Sequence, residues 1–559
     1  MLWSAFHLDG SWKELPVLAL KDCTPHDVCI LGGGLAGLTL ALQLRQRMPD
    51  LRVQVLERRS GEAPQATHKV GESTVEIGAH YLAHVLGLRE HLDTRHLRKF
   101  GFRFFFNDGA ADLSACPELG PSQHLAVPTY QIDRGRLENH LAERARAHGV
   151  ALLSGATATA CDLDASGAAH RVSWRDDEGG QRLTHARWII DATGRAGLLK
   201  RRLQLARGNG HAAFSVWFRI GRHLQPDRWA GAGGGTPDPA WFTRCGVDRR
   251  WLSTNHLCGS GYWVWLIPLA SGCHSIGIVA DPAFHDFEAL KTYDGALAWL
   301  ARHQPQLHVE LRQPGSAPLD FAFLRSFSHD ARQVFSEQRW ALAGEAGRFL
   351  DPFYSPGSDF IAIGNGYITR LVETDRAGGD LRRSARLYEL LFRSFYDNML
   401  PIYQGQYALF GSPWAMSQKV VWDYTYYWSV LAPLFFHVRL HDERLLADAA
   451  ADLQACAQLN QAMQRWLRAA VDVQGTGMPR VPKFHDHTRI DWFRRLNARL
   501  TQPADGPDVR RQLAEAPRAM ATLARDMLTL LPGKELPAEA VPRARLAALV
   551  TRWTSERAL

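Results

Sequence analysis

A lysine among aromatics, two tryptophans one residue apart and a run of glycines are the residues of this 559-residue chain with the most chemical potential. Lys99 opens the segment Lys99-Phe100-Gly101-Phe102-Arg103-Phe104. Partial burial there lowers a lysine pKa, and its compact ammonium makes a strong donor, although a snorkelling edge lysine has the same local pattern. In Trp263-Val264-Trp265-Leu266-Ile267-Pro268 the two indoles point to one face of an extended strand and can wall a cavity. Read alone, that pattern is ordinary sheet packing. In Gly32-x-Gly34-x-Ala36-Gly37 the absent side chains let the backbone approach a pyrophosphate at a helix N-terminus. Glu57 lies twenty residues past Gly37, the spacing of a ribose-binding carboxylate, and with its neighbour Arg58 is assigned to the nucleotide.

The elements that position these residues are legible. Asp27 to Leu31 reads as a buried strand entering the glycine loop, the following apolar helix reaches Arg47, and Val53 to Leu56 forms the next strand, a βαβ unit that binds a dinucleotide. Trp188-Ile189-Ile190 before Asp191-Ala192-Thr193-Gly194, and Trp340 to Ala343 before Gly344-Glu345, return to the same kind of sheet. Alternating segments such as Phe214 to Arg219 and Ser275 to Val279 predict a second sheet. From about residue 380, apolar residues at three and four spacing, as over 445–471 and 509–531, predict helices. Gly231 to Gly235 reads as a mobile loop. The expected fold is α/β: a Rossmann-like FAD-binding domain of the glutathione-reductase and aromatic-hydroxylase kind, a β-sheet substrate lobe and a helical C-terminal region. Its boundaries are a core over 1–400, with FAD-binding parts near 25–84, 130–204 and 335–375 and a substrate sheet near 85–129 and 205–334, followed by a helical domain over 401–559.

Composition narrows the function classes. The net charge of +8 is modest for this length, and its basic residues are spread instead of forming runs interleaved with aromatics, so nucleic acid is not the expected partner. Eight cysteines without a C-x-x-C pair predict neither a metal site nor a disulfide scaffold and fit a reducing, cytoplasmic setting. Charged residues interrupt the N-terminal apolar runs, so no signal peptide is expected, and no stretch is long enough for a transmembrane helix.

Several motifs in order resemble the flavin-dependent halogenases. They are the glycine loop, Lys69-Val70-Gly71-Glu72-Ser73-Thr74, the Lys99 strand, the W-x-W-x-I-P segment and Phe349-Leu350-Asp351-Pro352-Phe353-Tyr354-Ser355-Pro356-Gly357-Ser358. Asp191 to Gly194 and Gly344-Glu345 resemble the second and third flavin contacts of the wider superfamily, which favours FAD over NAD, and Tyr130 to Arg134 resembles the segment whose arginine lies near the flavin. The resemblance implies cofactor contacts at Gly71, Glu72, Ser73, Arg134, Asp191, Gly194, Gly344, Glu345, Asp351 and Pro352, and a halide held by Ser355, Gly357 and Ser358. It implies a flavin wall of Trp263, Trp265, Ile267 and Pro268, and a catalytic lysine at Lys99, with Lys69 the alternative.

What the resemblance implies about activity is a two-component oxidoreductase of secondary metabolism. FADH2 from a separate flavin reductase reacts with O2 to a C4a-hydroperoxide, chloride or bromide attacks it, and the resulting HOX reaches a lysine that presents it to an electron-rich ring. Tryptophan halogenases carry a glutamate where this chain has Tyr354, so the loop is more similar to the phenol and pyrrole branches. The substrate is then a phenolic or pyrrole-type aromatic, either free or carried by an acidic acyl carrier protein attracted to the basic surface. Two alternatives remain: an FAD-dependent aromatic hydroxylase, and a flavin-binding accessory protein without turnover. The aromatic cluster Trp422, Tyr424, Tyr426, Tyr427 and Trp428 reads chiefly as core, with a substrate cap as the second reading.

Overall fold

The computed structural model describes residues 26–65, 69–110, 112–164, 169–231, 236, 238–474, 480–530 and 541–555. The glycine-rich stretch beyond Gly231 falls mostly outside these residues. Among them, a seven-stranded sheet grows from the strand that enters the glycine loop. His26–Leu31 ends in four buried residues, as a strand covered on both faces requires. It pairs in parallel with Val53–Glu57 and with Gln181–Asp191, and Trp340–Leu342 pairs in parallel with the far end of Gln181–Asp191. The carboxyl ends of these strands therefore converge: Ala192 N–H donates to Leu31 O at 2.9 Å and Ala343 N–H to Asp191 O at 2.8 Å. In open α/β sheets that edge is where ligands bind.

A second sheet of eight strands places Tyr262–Pro268 near its centre, between Thr254–Gly259 and His274–Ala280. Every residue of Tyr262–Pro268 is buried, and the two faces serve different cores. Tyr262, Val264 and Leu266 pack with Val216, Ile276 and Trp299 under the outer helices, whereas Trp263, Trp265 and Ile267 join the core shared with the first sheet. The period of two in the sequence thus becomes a division between an outer and an inner face.

Beyond residue 380 the chain is helical, with long helices at Leu381–Met399, Pro413–Ser429, Ala450–Gln474 and Gly506–Thr529. The same region adds the edge strand Phe484–His485, paired in parallel with Glu118–Leu119. Two residues carry no readable periodicity, so only the backbone pairing reveals this strand. The aromatic cluster divides: Trp422 and Trp428 are fully buried in the core, while Tyr424 and Tyr427 also border a small cavity.

The second sheet is pinned by a buried carboxylate. Glu118 accepts from Arg103, from Arg250 Nε at 3.0 Å and from Arg244 Nε at 2.8 Å. Burial opposes its ionisation, but the three guanidinium groups hold its pKa below the usual carboxylate range. Glu118→Gln leaves those arginines without an anion, so a loss of about 3–5 kcal/mol is expected. Urea unfolding followed by tryptophan fluorescence measures it, and because the native pKa is depressed, the wild type also loses stability as pH falls through that depressed pKa, below the usual carboxylate range.

Candidate active site

The glycine loop is shaped by contacts that exclude a side chain. Gly32 has φ +108°, and a Cβ there would lie 2.5 Å from Ala192 O; at Gly37 a Cβ would lie 2.0 Å from Gly32 O. Gly34 instead faces open space, and it lines a cavity of about 250 Å³ at the carboxyl ends of the first sheet's strands. Glu57 accepts from Gly33 N–H at 2.6 Å and from Arg59 N–H at 2.9 Å, so its carboxylate orders the loop. Arg58 is exposed. Asp191 is also internal: it accepts from Thr193 N–H and Oγ1–H and from Leu199 N–H, forming the turn that presents Gly194 to the cavity.

The same cavity carries groups that fit FAD. Gly34 and Gly194 leave room for a ligand to approach backbone, and Glu345 lines the wall with a half-buried carboxylate to which no described protein group donates. Burial raises its pKa, with Arg195 and Arg134 opposing. Ala36, Gly344 and Pro352 complete this part of the wall.

Opposite lies the Lys69 to Ser73 segment, fixed by a residue on which sequence reasoning placed no role. Arg219, fully buried on strand Phe214–Ile220, donates through Nε to Glu72 Oε1 at 2.7 Å, through Nη1 to Asp320 at 2.5 Å and through Nη2 to Lys69 O. One planar guanidinium thus holds both ends of the segment, which a lysine's single point charge does not reproduce. Arg134 contributes from the other side through Val70 O and Glu138, and its guanidinium leaves no space for a Cβ at Gly71. Lys69 pairs with Glu138.

The tryptophans face this cavity together with Ile267, while Pro268 ends the strand without lining it. Their ring centroids are 5.9 Å apart with planes inclined by 47°. Trp265 lies against Gly277, where a Cβ would collide with the indole, and donates to Ser275 Oγ at 3.1 Å. Trp263 Nε1–H donates to Tyr407 Oη at 3.4 Å; Tyr407 donates in turn to Asp351 at 2.8 Å, and His211 Nε2 lies 2.6 Å from the same Asp351 oxygen. Asp351 therefore stands behind the cavity and ties its loop to the indole wall.

That loop is strained. Tyr354 and Ser355 have φ of 65° and 54°, a left-handed pair of non-glycine residues that costs of order 1–3 kcal/mol each. It delivers the chain to the helix Gly357–Arg376, where Asp359 and Phe360 N–H turn back to Pro356 O. Ser355, Gly357 and Ser358 line the cavity at this helix start, and Ser358 Oγ is buried without a partner. Uncommitted donors at the positive end of a long helix suit an anion.

Lys99 is buried, 3% exposed. Its ammonium donates to Ser73 Oγ at 3.0 Å and Thr74 O at 2.8 Å and sits 3.4 Å from the centroid of the Phe102 ring. Burial lowers its pKa to about 7, with Glu76 and Asp359 opposing through charge. Ser73 lines the large cavity, so a single residue separates the two. Two smaller cavities of about 30 Å³ each lie on the lysine side, one bordered by Lys99 and Glu76 and the other by Phe102, Tyr354 and Asp359. Each holds little more than one water molecule, so a ring enters only as their walls move apart. Pro356 is common to the flavin cavity and the second of these, and Val75 and Tyr424 are common to the two small ones.

Glycine loop, sheet and cavity define an FAD-binding oxidoreductase. Residues 25–227 match the family model described as FAD binding domain. The chain is 25% identical over 439 residues to flavin-dependent halogenase chlA of Dictyostelium discoideum, covering 73% of this chain and 70% of that one. It is also 25% identical over 352 residues to a 1H-pyrrole-2-carbonyl-peptidyl-carrier-protein brominase of Pseudoalteromonas luteoviolacea, covering 61% and 75%. In three dimensions it is similar to halogenase PltM, at a TM-score of 0.61 and 18% identity over 93% of this chain and 99% of that one, in a structure with phloroglucinol and FAD. The chain is similar to flavin-dependent halogenases in its domain match, its relatives and its fold. Among its described residues no helix is long and apolar enough to cross a membrane.

Arg219→Lys keeps the charge and gives up the three-way hold on the flavin-side segment. FAD affinity, followed by flavin fluorescence quenching, is expected to fall about tenfold to a hundredfold, the loss of one or two charge-assisted hydrogen bonds.

Proposed function

We propose that the protein installs chlorine or bromine on an electron-rich, phenolic or pyrrole-type aromatic ring, with HOX as the electrophile and Lys99 as the residue that activates it. The observation that carries this reading is a buried ammonium one residue away from an FAD cavity walled by two indoles. Bound FADH2, supplied by a separate flavin reductase, provides the electrons with which O2 oxidises the halide. The chain's own groups do the rest. Gly357 and Ser358 amides, with the unpaired Ser358 hydroxyl, hold the halide at the helix start. Trp263, Trp265 and Ile267 keep water from the space beside the flavin. Lys99 has two protons engaged by Ser73 and Thr74, leaving the third to donate to the HOX oxygen or the nitrogen to form a haloamine.

The relatives support the choice of ring, one being a brominase of a carrier-bound pyrrole and another a halogenase whose structure holds phloroglucinol. Tyr354 in place of an acid on the halide loop agrees with a ring that is already activated. The basic surface suits an acidic carrier protein as one source of substrate.

The test is a reductase-coupled reaction with FAD, O2 and bromide against phenols, pyrroles and carrier-tethered aromatics, read by mass spectrometry, with monochlorodimedone as reporter of HOX. Addition of one bromine is expected; hydroxylated product formed regardless of halide overturns the reading in favour of a hydroxylase, and no product at all in favour of a flavin binder. Lys99→Met should keep FAD affinity and lose at least about a hundredfold in ring halogenation, the scale of a positioned proton donor. A separate pH series tests the ammonium: with its pKa lowered to about 7 by burial, the lysine is cationic below that value, so the wild-type rate falls as pH rises through about 7.

A further inference from the structure

Glu76 stands two residues past the Ser73-Thr74 pair that holds Lys99, at the start of the short helix Glu76–His80. Its carboxylate is 3% exposed and borders the same small cavity as Lys99. Oε1 accepts from Asn497 Nδ2 at 3.2 Å, across from the C-terminal helices, but Oε2 is buried without a hydrogen-bond partner. Its own backbone N–H and Trp428 Nε1–H lie close enough to the carboxylate to favour its charge, without pairing Oε2 or the indole in full hydrogen-bond geometry. A buried carboxylate with one open oxygen is destabilised until water or a ligand in the adjoining cavity completes it.

The other acids nearby are already committed. Asp359 accepts from Gly78 N–H at 2.8 Å and Tyr427 Oη–H at 2.7 Å, while Asp423 is paired with Lys419 at 2.9 Å and accepts from Tyr354 and Gln464. Only Glu76 offers, among these three, an open acceptor on the lysine's own cavity.

We infer that Glu76 Oε2 receives the hydroxyl proton of a phenolic substrate held against Lys99. This rests on the assignment of Lys99 above and names the substrate class for the same site. As the ring carbon attacks the halogen of HOX, the carbon–halogen bond forms and the halogen–oxygen bond breaks. Hydroxide leaves as water with a proton from the Lys99 ammonium, and the phenolic O–H proton passes to Glu76. The halogenated dienone then loses its ring proton to the Lys99 amine and regains its hydroxyl proton from Glu76, which restores both side chains and gives halophenol and water. Burial raises the pKa of Glu76, which brings its proton affinity toward that of a phenol.

The experiment compares resorcinol with its dimethyl ether, 1,3-dimethoxybenzene, on the FAD-loaded protein, by calorimetric binding and by single-turnover bromination, in wild type, Glu76→Gln, Glu76→Asp and Lys99→Met. Wild type should bind and brominate resorcinol in preference to the ether. Glu76→Gln should lose about a hundredfold in resorcinol bromination, the range of positioned acid–base groups, with the ether within threefold of wild type and monochlorodimedone halogenation unchanged. Glu76→Asp should retain part of the preference, and it serves in place of Glu76→Gln should that variant fail to fold. The inference is overturned if the wild type shows no preference for the free hydroxyl, if the glutamine variant keeps resorcinol turnover within threefold, or if both rings lose equally, which marks a structural role. Lys99→Met separates the two claims: ring bromination surviving it removes the lysine assignment as well, whereas its loss alongside an unaffected Glu76→Gln removes Glu76 alone.

Discussion

The site depends on an ammonium kept out of water without a carboxylate touching it. Lys99 is held by a hydroxyl, a carbonyl and the face of Phe102, and its opposing charges on Glu76 and Asp359 act from further away. A direct ion pair would stabilise the charge but would also occupy the protons that make lysine a useful donor. Dispersing the compensation over neutral dipoles and remote acids leaves the amine near neutrality in pKa and one proton uncommitted. The cost of burying the charge falls on the surrounding fold, which is why the residues that hold Ser73 and Thr74 matter as much as the lysine.

Those residues form a bridge between two chambers. The segment from Lys69 to Glu76 has Arg219 and Arg134 on its flavin side and Lys99 on the other, with Ser73 bonded to both Thr254 and Lys99. Ile132 N–H donates to Glu72 O at 2.6 Å and Thr74 N–H to Tyr130 O at 3.0 Å, so the bridge is also stitched to the strand preceding Arg134. The flavin wall and the lysine are therefore joined through a few short hydrogen bonds, and the divider between the two chambers is backbone pinned on both sides.

The sequence showed whatever follows from local spacing. The glycine loop, the strand before it and Glu57 were readable because strand, turn and helix are adjacent in the chain, and the two inward indoles because a strand alternates faces. Arg219 was not, since in Phe214 to Arg219 it reads as the polar end of an alternating strand, and nothing local says that it turns inward to meet Glu72, 147 residues away. For Asp351 and Asp191 the motifs point to cofactor contacts and carry no sign of the internal turns and hydrogen-bond chains that their carboxylates serve. Glu76 gave no signal: a single acid after Ser-Thr-Val is indistinguishable from a helix-start residue until Asn497 and the C-terminal helices close over it. Long-range burial creates the unusual groups, and one-dimensional patterns do not contain it.

The C-terminal helices accordingly belong to the site. Tyr354, at the strained left-handed turn before the helix Gly357–Arg376, donates to Asp423 at 3.0 Å, and Asp423 is held by Lys419 and Gln464 inside the helices Pro413–Ser429 and Ala450–Gln474. Tyr427, from the first of these, donates to Asp359 in the helix Gly357–Arg376, and its hydroxyl also accepts from Ile77 N–H beside Glu76. A left-handed tyrosine persists only where its surroundings over-determine it. Here that determination comes from a buried ion pair within the helix Pro413–Ser429, braced by Gln464 of the helix Ala450–Gln474, so the strain at Tyr354 and the closure over Lys99 share one support. The phenolic side chain occupying Tyr354 is in this light a strut, and a strut engaged with Asp423 is not free to serve as the base that an unactivated ring requires.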